Sequence, residues 1–220
     1  MERLDLRKEL SRLAVAERVF CYPMEPHRRK HGPAGYTDYE SYRDWLRDEF
    51  SYRCVFSLIR EKWIGRPGNF DIDHFQPRAE RPDLTCEYDN LLYLSHQSNL
   101  IRNKRSLPDP CAVCLGKSLR VFPNGSRTGE IEAIDITGER VIQILRLDSE
   151  DATGFRKRIL TILHSLAVHD EASFRDWVGF PRDLPDLRPP KRRNPGNTRP
   201  EGLSESALAV HERGELSEWY

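Results

Sequence analysis

Three runs decide how this chain is read: Asp71-Ile72-Asp73-His74-Phe75-Gln76-Pro77, Tyr88-Asp89-Asn90-Leu91-Leu92-Tyr93-Leu94, and Ser95-His96-Gln97-Ser98-Asn99-Leu100-Ile101-Arg102-Asn103-Lys104. The first reads as a strand, Phe70 to Phe75, that stops where Pro77 and the polar run Arg78 to Asp83 interrupt it. The second, rich in Leu, reads as a second strand, and the third as a helix carrying Asn99. Together they predict a β-β-α unit with Asp73 and His74 at the end of one strand.

Those residue types suit phosphodiester hydrolysis. A carboxylate at Asp73 and an amide oxygen at Asn99 are hard donors for a divalent ion, and His96 is an alternative ligand one turn earlier. His74 has an imidazole that titrates near working pH and can take a proton from water. Asn90, at the start of the second strand, is placed to bridge backbone groups of the preceding loop. Neighbours on a regular strand face opposite ways, so Asp73 and His74 converge only where the strand twists or ends.

Asp-His, then Asn-Leu, then Asn followed by basic residues resembles the HNH endonuclease family over about residues 52 to 105. The resemblance implies a ββα-metal fold and cleavage of DNA, with RNA also open as substrate. It implies His74 as general base, Asp73 and Asn99 as ligands of Mg²⁺ or Mn²⁺, and Asn90 orienting the His or its loop. Arg102 falls where the family contacts phosphate or the leaving group, with Lys104 as competitor, and Arg105 and Lys117 extend the expected nucleic-acid surface. Many members carry two C-x-x-C knuckles around a structural zinc. Here the corresponding runs are Cys54-x-x-Ser57 and Ser95-x-x-Ser98, so one thiol of four remains and no structural zinc is expected there. A relative that binds nucleic acid without cutting it, or a nuclease subunit active only inside a bacterial defence complex, are the rival readings.

The rest of the chain sets bounds. Formal net charge is zero, 32% of residues are charged and 38% hydrophobic, and no run approaches the roughly 18 apolar residues a membrane span needs. A cytoplasmic protein is expected, since the first ten residues lack a signal peptide's apolar core and five Cys make an odd number. Cys111 and Cys114 read as free loop thiols. Between 99 and 128 six Lys or Arg face one acid, Asp109.

Periodicity predicts an amphipathic helix over 2–19, with Leu6, Leu10, Leu13 and Ala14 on one side. The basic run His27 to His31 reads as a solvated loop. Thr37 to Glu40 reads as a capping box opening a helix that buries Tyr39, Tyr42, Leu46 and Phe50, with Trp45 beside them. Residues 130–147 alternate as a hairpin turning at Thr137-Gly138, and Ser149 caps a helix to about His169 whose apolar face is Phe155, Ile159, Ile162, Leu163 and Leu166. Six prolines between 181 and 200, with Lys191-Arg192-Arg193 among them, predict an extended linker before a short helix around 204–213. The expected class is α+β: the ββα-metal unit embedded between N-terminal helices and a C-terminal hairpin plus helix. The segments are 1–50, 51–106, 107–170 and 171–220, with one core and no second domain. A partner protein or a homodimer is left open.

Overall fold

The structure, a computed structural model, describes residues 6–65, 67–188, 199 and 202–218. In chain order its helices and strands are α1 (Leu6–Arg18), α2 (Arg43–Glu49), β1 (Phe70–His74), β2 (Leu91–Ser95), α3 (His96–Arg102), α4 (Leu115–Ser118), β3 (Leu119–Val121), β4 (Ile131–Ala133), α5 (Ile136–Leu145), α6 (Glu150–His169), α7 (Glu171–Val178) and α8 (Ala207–Glu212). Helices mix with two small antiparallel sheets, β1-β2 and β3-β4, as an α+β chain should. No helix among the described residues is long and apolar enough to cross a membrane.

Two compact units divide the chain, where one core was expected. The first is drawn from Met1–Pro26, Val113–Phe180 and Glu218–Tyr220, the second from His27–Ala112 and Pro181–Ser217. Residues 51–106 fall wholly inside the second, whereas the segments 1–50, 107–170 and 171–220 are each divided.

In the first unit α1 packs along α6. Arg12 is buried between them: its Nε donates to the Ala167 carbonyl at 2.8 Å and its fork pairs with Glu171. That satisfies a carbonyl in the last turn of α6, where a cation is favoured. Ser149 caps α6 as the sequence indicated, accepting from Ala152 N. The buried face of α6 is Ile159, Leu160, Leu163 and Ala167, and Ile162 is left exposed.

The hairpin expected over 130–147 is not formed. Its first half, β4, pairs instead with β3, Leu119 opposite Ala133. Its second half is α5, because Asp135 acts as an N-cap, accepting from Gly138 N at 2.9 Å while Ser118 Oγ donates to its other oxygen at 2.8 Å. Val141, Ile142, Ile144 and Leu145 are buried while Glu139, Arg140 and Gln143 are exposed, a period nearer four than two. Gly138 is not a turn residue. A Cβ there would stand 2.0 Å from the Ser118 carbonyl oxygen, so glycine permits a close backbone approach.

The second unit buries the aromatic stripe of α2 (Tyr42, Trp45, Leu46, Phe50) against β2, whose five residues are all buried. Thr37 does not cap this segment. Asp38 does, accepting from Glu40 N ahead of a 3-10 turn, Tyr39–Tyr42, that leads into α2. Glu40 instead pairs with Arg43.

The opposite side of α2 carries charge into the interior. Arg47 forks onto Glu61, which also accepts from Tyr93 Oη at 2.7 Å. Asp48 and Glu49 are each 1% exposed, and they hold the basic run thought to be a solvated loop. His31 Nε2 lies 2.8 Å from Asp48 Oδ1 and Lys30 Nζ pairs with the same atom. His27 Nε2 lies 2.7 Å from Glu49 Oε1, and the backbone N–H groups of Lys30 and His31 donate to that carboxylate. Two desolvated carboxylates recruit the basic residues, since a buried charge without a partner is costly.

The tail is not a detached linker where it is described. Leu187 is buried, Tyr36 Oη donates to the Arg188 carbonyl, and Asp183 pairs with Arg47. The last helix, α8, is capped by Ser206, and Ala207 N donates to Asp48 Oδ2 at 2.7 Å. Lys191-Arg192-Arg193 lies outside the described residues.

Candidate active site

β1 and β2 pair antiparallel with Asp73 opposite Leu92 and His74 opposite Leu91, and α3 follows β2 without a connecting loop. Ser95 ends the strand and caps the helix, its Oγ accepting from Ser98 N at 3.3 Å. Asn103 and Lys104, at φ 42° and 65°, are both left-handed and end the helix. Asn99 and Arg102 fall three apart on the face that packs on β1.

An open cleft of about 820 Å³ lies against this hairpin and helix, lined among others by Asp73, His74, Asn99, Arg102 and Lys104. Four of the residues singled out from sequence meet there with Lys104, and β1 ends at His74.

His74 is nearly buried and its orientation is fixed. Its Nε2 lies 3.0 Å from the Thr85 carbonyl oxygen. A carbonyl only accepts, so Nε2 carries the hydrogen and Nδ1 keeps the lone pair. Burial holds the imidazole below its ordinary pKa, helped by the charges of Arg78 and Arg102, against the Thr85 hydrogen bond and Glu40. The ring is therefore neutral, and basic at Nδ1, near pH 7. Tyr39 packs edge-on against it, ring centroids 4.8 Å apart.

Asn90 bridges the loop backbone as its position suggested. Its Oδ1 accepts from Gln76 N at 2.8 Å, and its Nδ2 donates to the carbonyls of Gln76 (3.1 Å) and Leu84 (3.3 Å). The segment whose Thr85 carbonyl accepts from His74 Nε2 is thereby tied to the start of β2. The backbone bond from Phe75 N to Asn90 O, 2.8 Å, closes the same corner.

Asp73 differs from the simplest expectation. Its carboxylate is paired with the Arg102 guanidinium. Burial nevertheless pushes its pKa up to about 6, with Arg102 opposing and Asp71 reinforcing the rise. Arg102 is 2% exposed and also donates to the carbonyls of His74 (3.1 Å), Phe75 (2.8 Å) and Arg105 (3.0 Å). Its donors face protein, so it is a poor match to the phosphate contact anticipated for it.

Asp71, two residues before Asp73 on the same strand face, was overlooked. Its Oδ2 accepts from Asn99 Nδ2 at 2.9 Å and lies 2.9 Å from His96 Nδ1. The alternation Asp-Ile-Asp was the available signal. With Asn99 donating through nitrogen, its amide oxygen is left as an acceptor. The Asp73 carboxylate, Asp71 and the Asn99 oxygen are the hard donors that could hold a divalent ion here. Among the described residues no group of three or more His, Cys, Asp or Glu side chains forms such a cluster by itself.

The other residues divide. Arg105 donates to the carbonyls of Arg102 and Ile101, folded back on its own helix end. Lys117 belongs to the first unit. Three of the four knuckle side chains meet: Cys54 Sγ lies 3.7 Å from Ser98 Oγ and Ser95 Oγ donates to Ser98 Oγ at 2.8 Å, while Ser57 reaches Cys54 Sγ through its backbone N–H at 3.4 Å. Hydrogen bonds join the two knuckles there. Cys111 and Cys114 are free thiols, the first raised in pKa chiefly by burial.

No protein-family model matches the chain, and a search of curated proteins finds no significant match.

Proposed function

We propose that the chain is a metal-dependent endonuclease of the HNH type, hydrolysing phosphodiester bonds of DNA in the cleft beside β1 and α3. One observation carries this reading: a neutral, carbonyl-anchored His74 shares a single cleft with Asp73 and Asn99, which come from the end of β1 and from α3. The donor set fits a hard divalent ion such as Mg²⁺ or Mn²⁺. All its donors are oxygen, and a buried carboxyl raised to about 6 next to a second carboxylate is relieved by positive charge. Asp73 and Asn99 would hold the ion, with Asp71 at hand. Once bound, it would supply Lewis-acid polarisation of the scissile phosphate and shield the departing oxygen.

The chain's own residues do the rest. His74 Nδ1 takes a proton from a water molecule as that oxygen attacks phosphorus and the bond to the leaving oxygen breaks. Thr85 supplies no proton. Its carbonyl fixes the tautomer and spreads the positive charge that forms on the ring. Asn90 keeps that carbonyl in place through the loop. Binding would rest on phosphates and weaken steeply with salt.

The test is nicking of supercoiled plasmid by the full chain with Mg²⁺, Mn²⁺ or chelator, beside His74→Ala. Loss of about 10²- to 10⁴-fold in rate is expected for a general base. Nicking in chelator, or a His74→Ala rate equal to the parent, sinks the proposal. The Asp73–Arg102 ion pair favours one alternative, a nuclease whose ligand carboxylate is released only by a partner protein. In that case nicking would appear only when a co-purifying partner is added.

A further inference from the structure

The wall of the cleft carries three cations, Arg78, Arg102 and Lys104, and their circumstances differ. Arg102 is buried, with its donors on Asp73 and three backbone carbonyls. Arg78 and Lys104 are exposed, and among the described residues neither is paired with a carboxylate. Arg78 is nonetheless held in place. It follows Pro77 in the loop that Asn90 ties down at Gln76, and its guanidinium stands over the Tyr39 ring, 5.2 Å from the centroid. That ring is the one packed edge-on against His74.

We propose that Arg78, assisted by Lys104, is the cation that binds the phosphate of the nucleic-acid strand in this cleft, and that Arg102 is a positioning residue. This rests on the nuclease reading. A guanidinium laid on an aromatic face keeps its planar fork for two parallel bonds to phosphate oxygens, a match an ammonium cannot make. Lys104, left-handed at the end of α3, adds a point charge from another element.

The test measures binding of a short fluorescein-labelled DNA duplex to the full chain in chelator, over a series of salt concentrations, alongside plasmid nicking. Arg78→Ala should lower the slope of log K against log salt by about one and weaken binding about tenfold at moderate salt. Arg78→Lys should restore the slope but not the whole affinity, and Arg140→Ala, on α5, should match the parent. Nicking by Arg78→Ala should rise in KM more than it falls in kcat. An Arg78→Ala slope equal to the parent, in a chain that still nicks plasmid, overturns the role of Arg78 and leaves the nuclease reading standing. Binding that depends on Arg78 in a chain that never nicks supports the phosphate site and removes the nuclease reading. A parent chain that neither binds nor nicks overturns both.

Discussion

Arg102 joins its guanidinium to the Asp73 carboxylate and, with the same group, holds the carbonyls of His74 and Phe75. A residue on α3 thereby fixes the last two residues of β1 and Phe75 after them, at the edge of the cleft that Asp73 and His74 both line. Arg102→Ala should remove this brace and leave a buried carboxylate and two buried carbonyls without partners. Loss of one member of a buried pair costs about 3–5 kcal/mol. Chemical denaturation should show that loss, with Arg102→Lys intermediate because an ammonium cannot span all four acceptors. An Arg102→Ala chain as stable as the parent would contradict the brace.

Asn90 makes three hydrogen bonds to the loop backbone with both ends of its amide. Asn90→Asp keeps the acceptor for Gln76 N but sets a carboxylate against the carbonyls of Gln76 and Leu84. It should therefore be less stable than Asn90→Ala, by about 1–2 kcal/mol, on the usual penalty for unmatched buried acceptors. Thermal melts of the two variants decide this. If nicking is observed, both should lower kcat more than they raise KM, because they act through the Thr85 carbonyl on His74.

The knuckle positions are close enough to reverse the substitution. Thiolates around a tetrahedral zinc stand about 3.8 Å apart, from zinc–sulfur bonds of about 2.3 Å. Cys54 Sγ and Ser98 Oγ are already at 3.7 Å. The triple variant Ser57→Cys, Ser95→Cys, Ser98→Cys should bind one zinc per chain and melt higher with zinc than with chelator. A variant that folds but takes up no zinc would show that the four positions do not converge on a common centre.

Acid should loosen the second unit through α2. Burial works against Glu49, but His27, Arg29 and the His31 N–H hold its carboxyl down to about 2. Asp48 is likewise lowered, by His31, Lys30 and Ala207 N, against its own burial. A depressed carboxyl contributes stability that is complete above its unfolded value and is lost as pH falls through its folded one. For Glu49 that window runs from 4.5 down to about 2. Stability followed by tryptophan fluorescence should fall through this range, and Glu49→Gln should flatten the dependence while lowering stability at pH 7. A Glu49→Gln profile parallel to the parent would refute the assignment.

The local elements were legible because they depend on spacing. Leu91 to Leu94 read as a buried strand, Ser149 as a cap, and the proline after Gln76 as the end of β1, all from a few neighbouring residues. Where two periods fit one run, local reading failed. Residues 136–145 alternate plausibly enough for a strand, and only the capping of α5 by Asp135 and the approach of Gly138 to Ser118 decide for helix.

The sequence by itself determined the β-β-α order, the side chains Asp73, His74 and Asn99 that line one cleft, and Asn90 as the tie to the loop beside it. Only the tertiary structure decided their partners. The Thr85 carbonyl on His74, Arg102 on Asp73, Asp71 on Asn99 and the basic run on Asp48 and Glu49 join residues 11 to 29 positions apart. A side chain's choice among several charged groups depends on which of them burial deprives of water, and burial is a property of the packed chain.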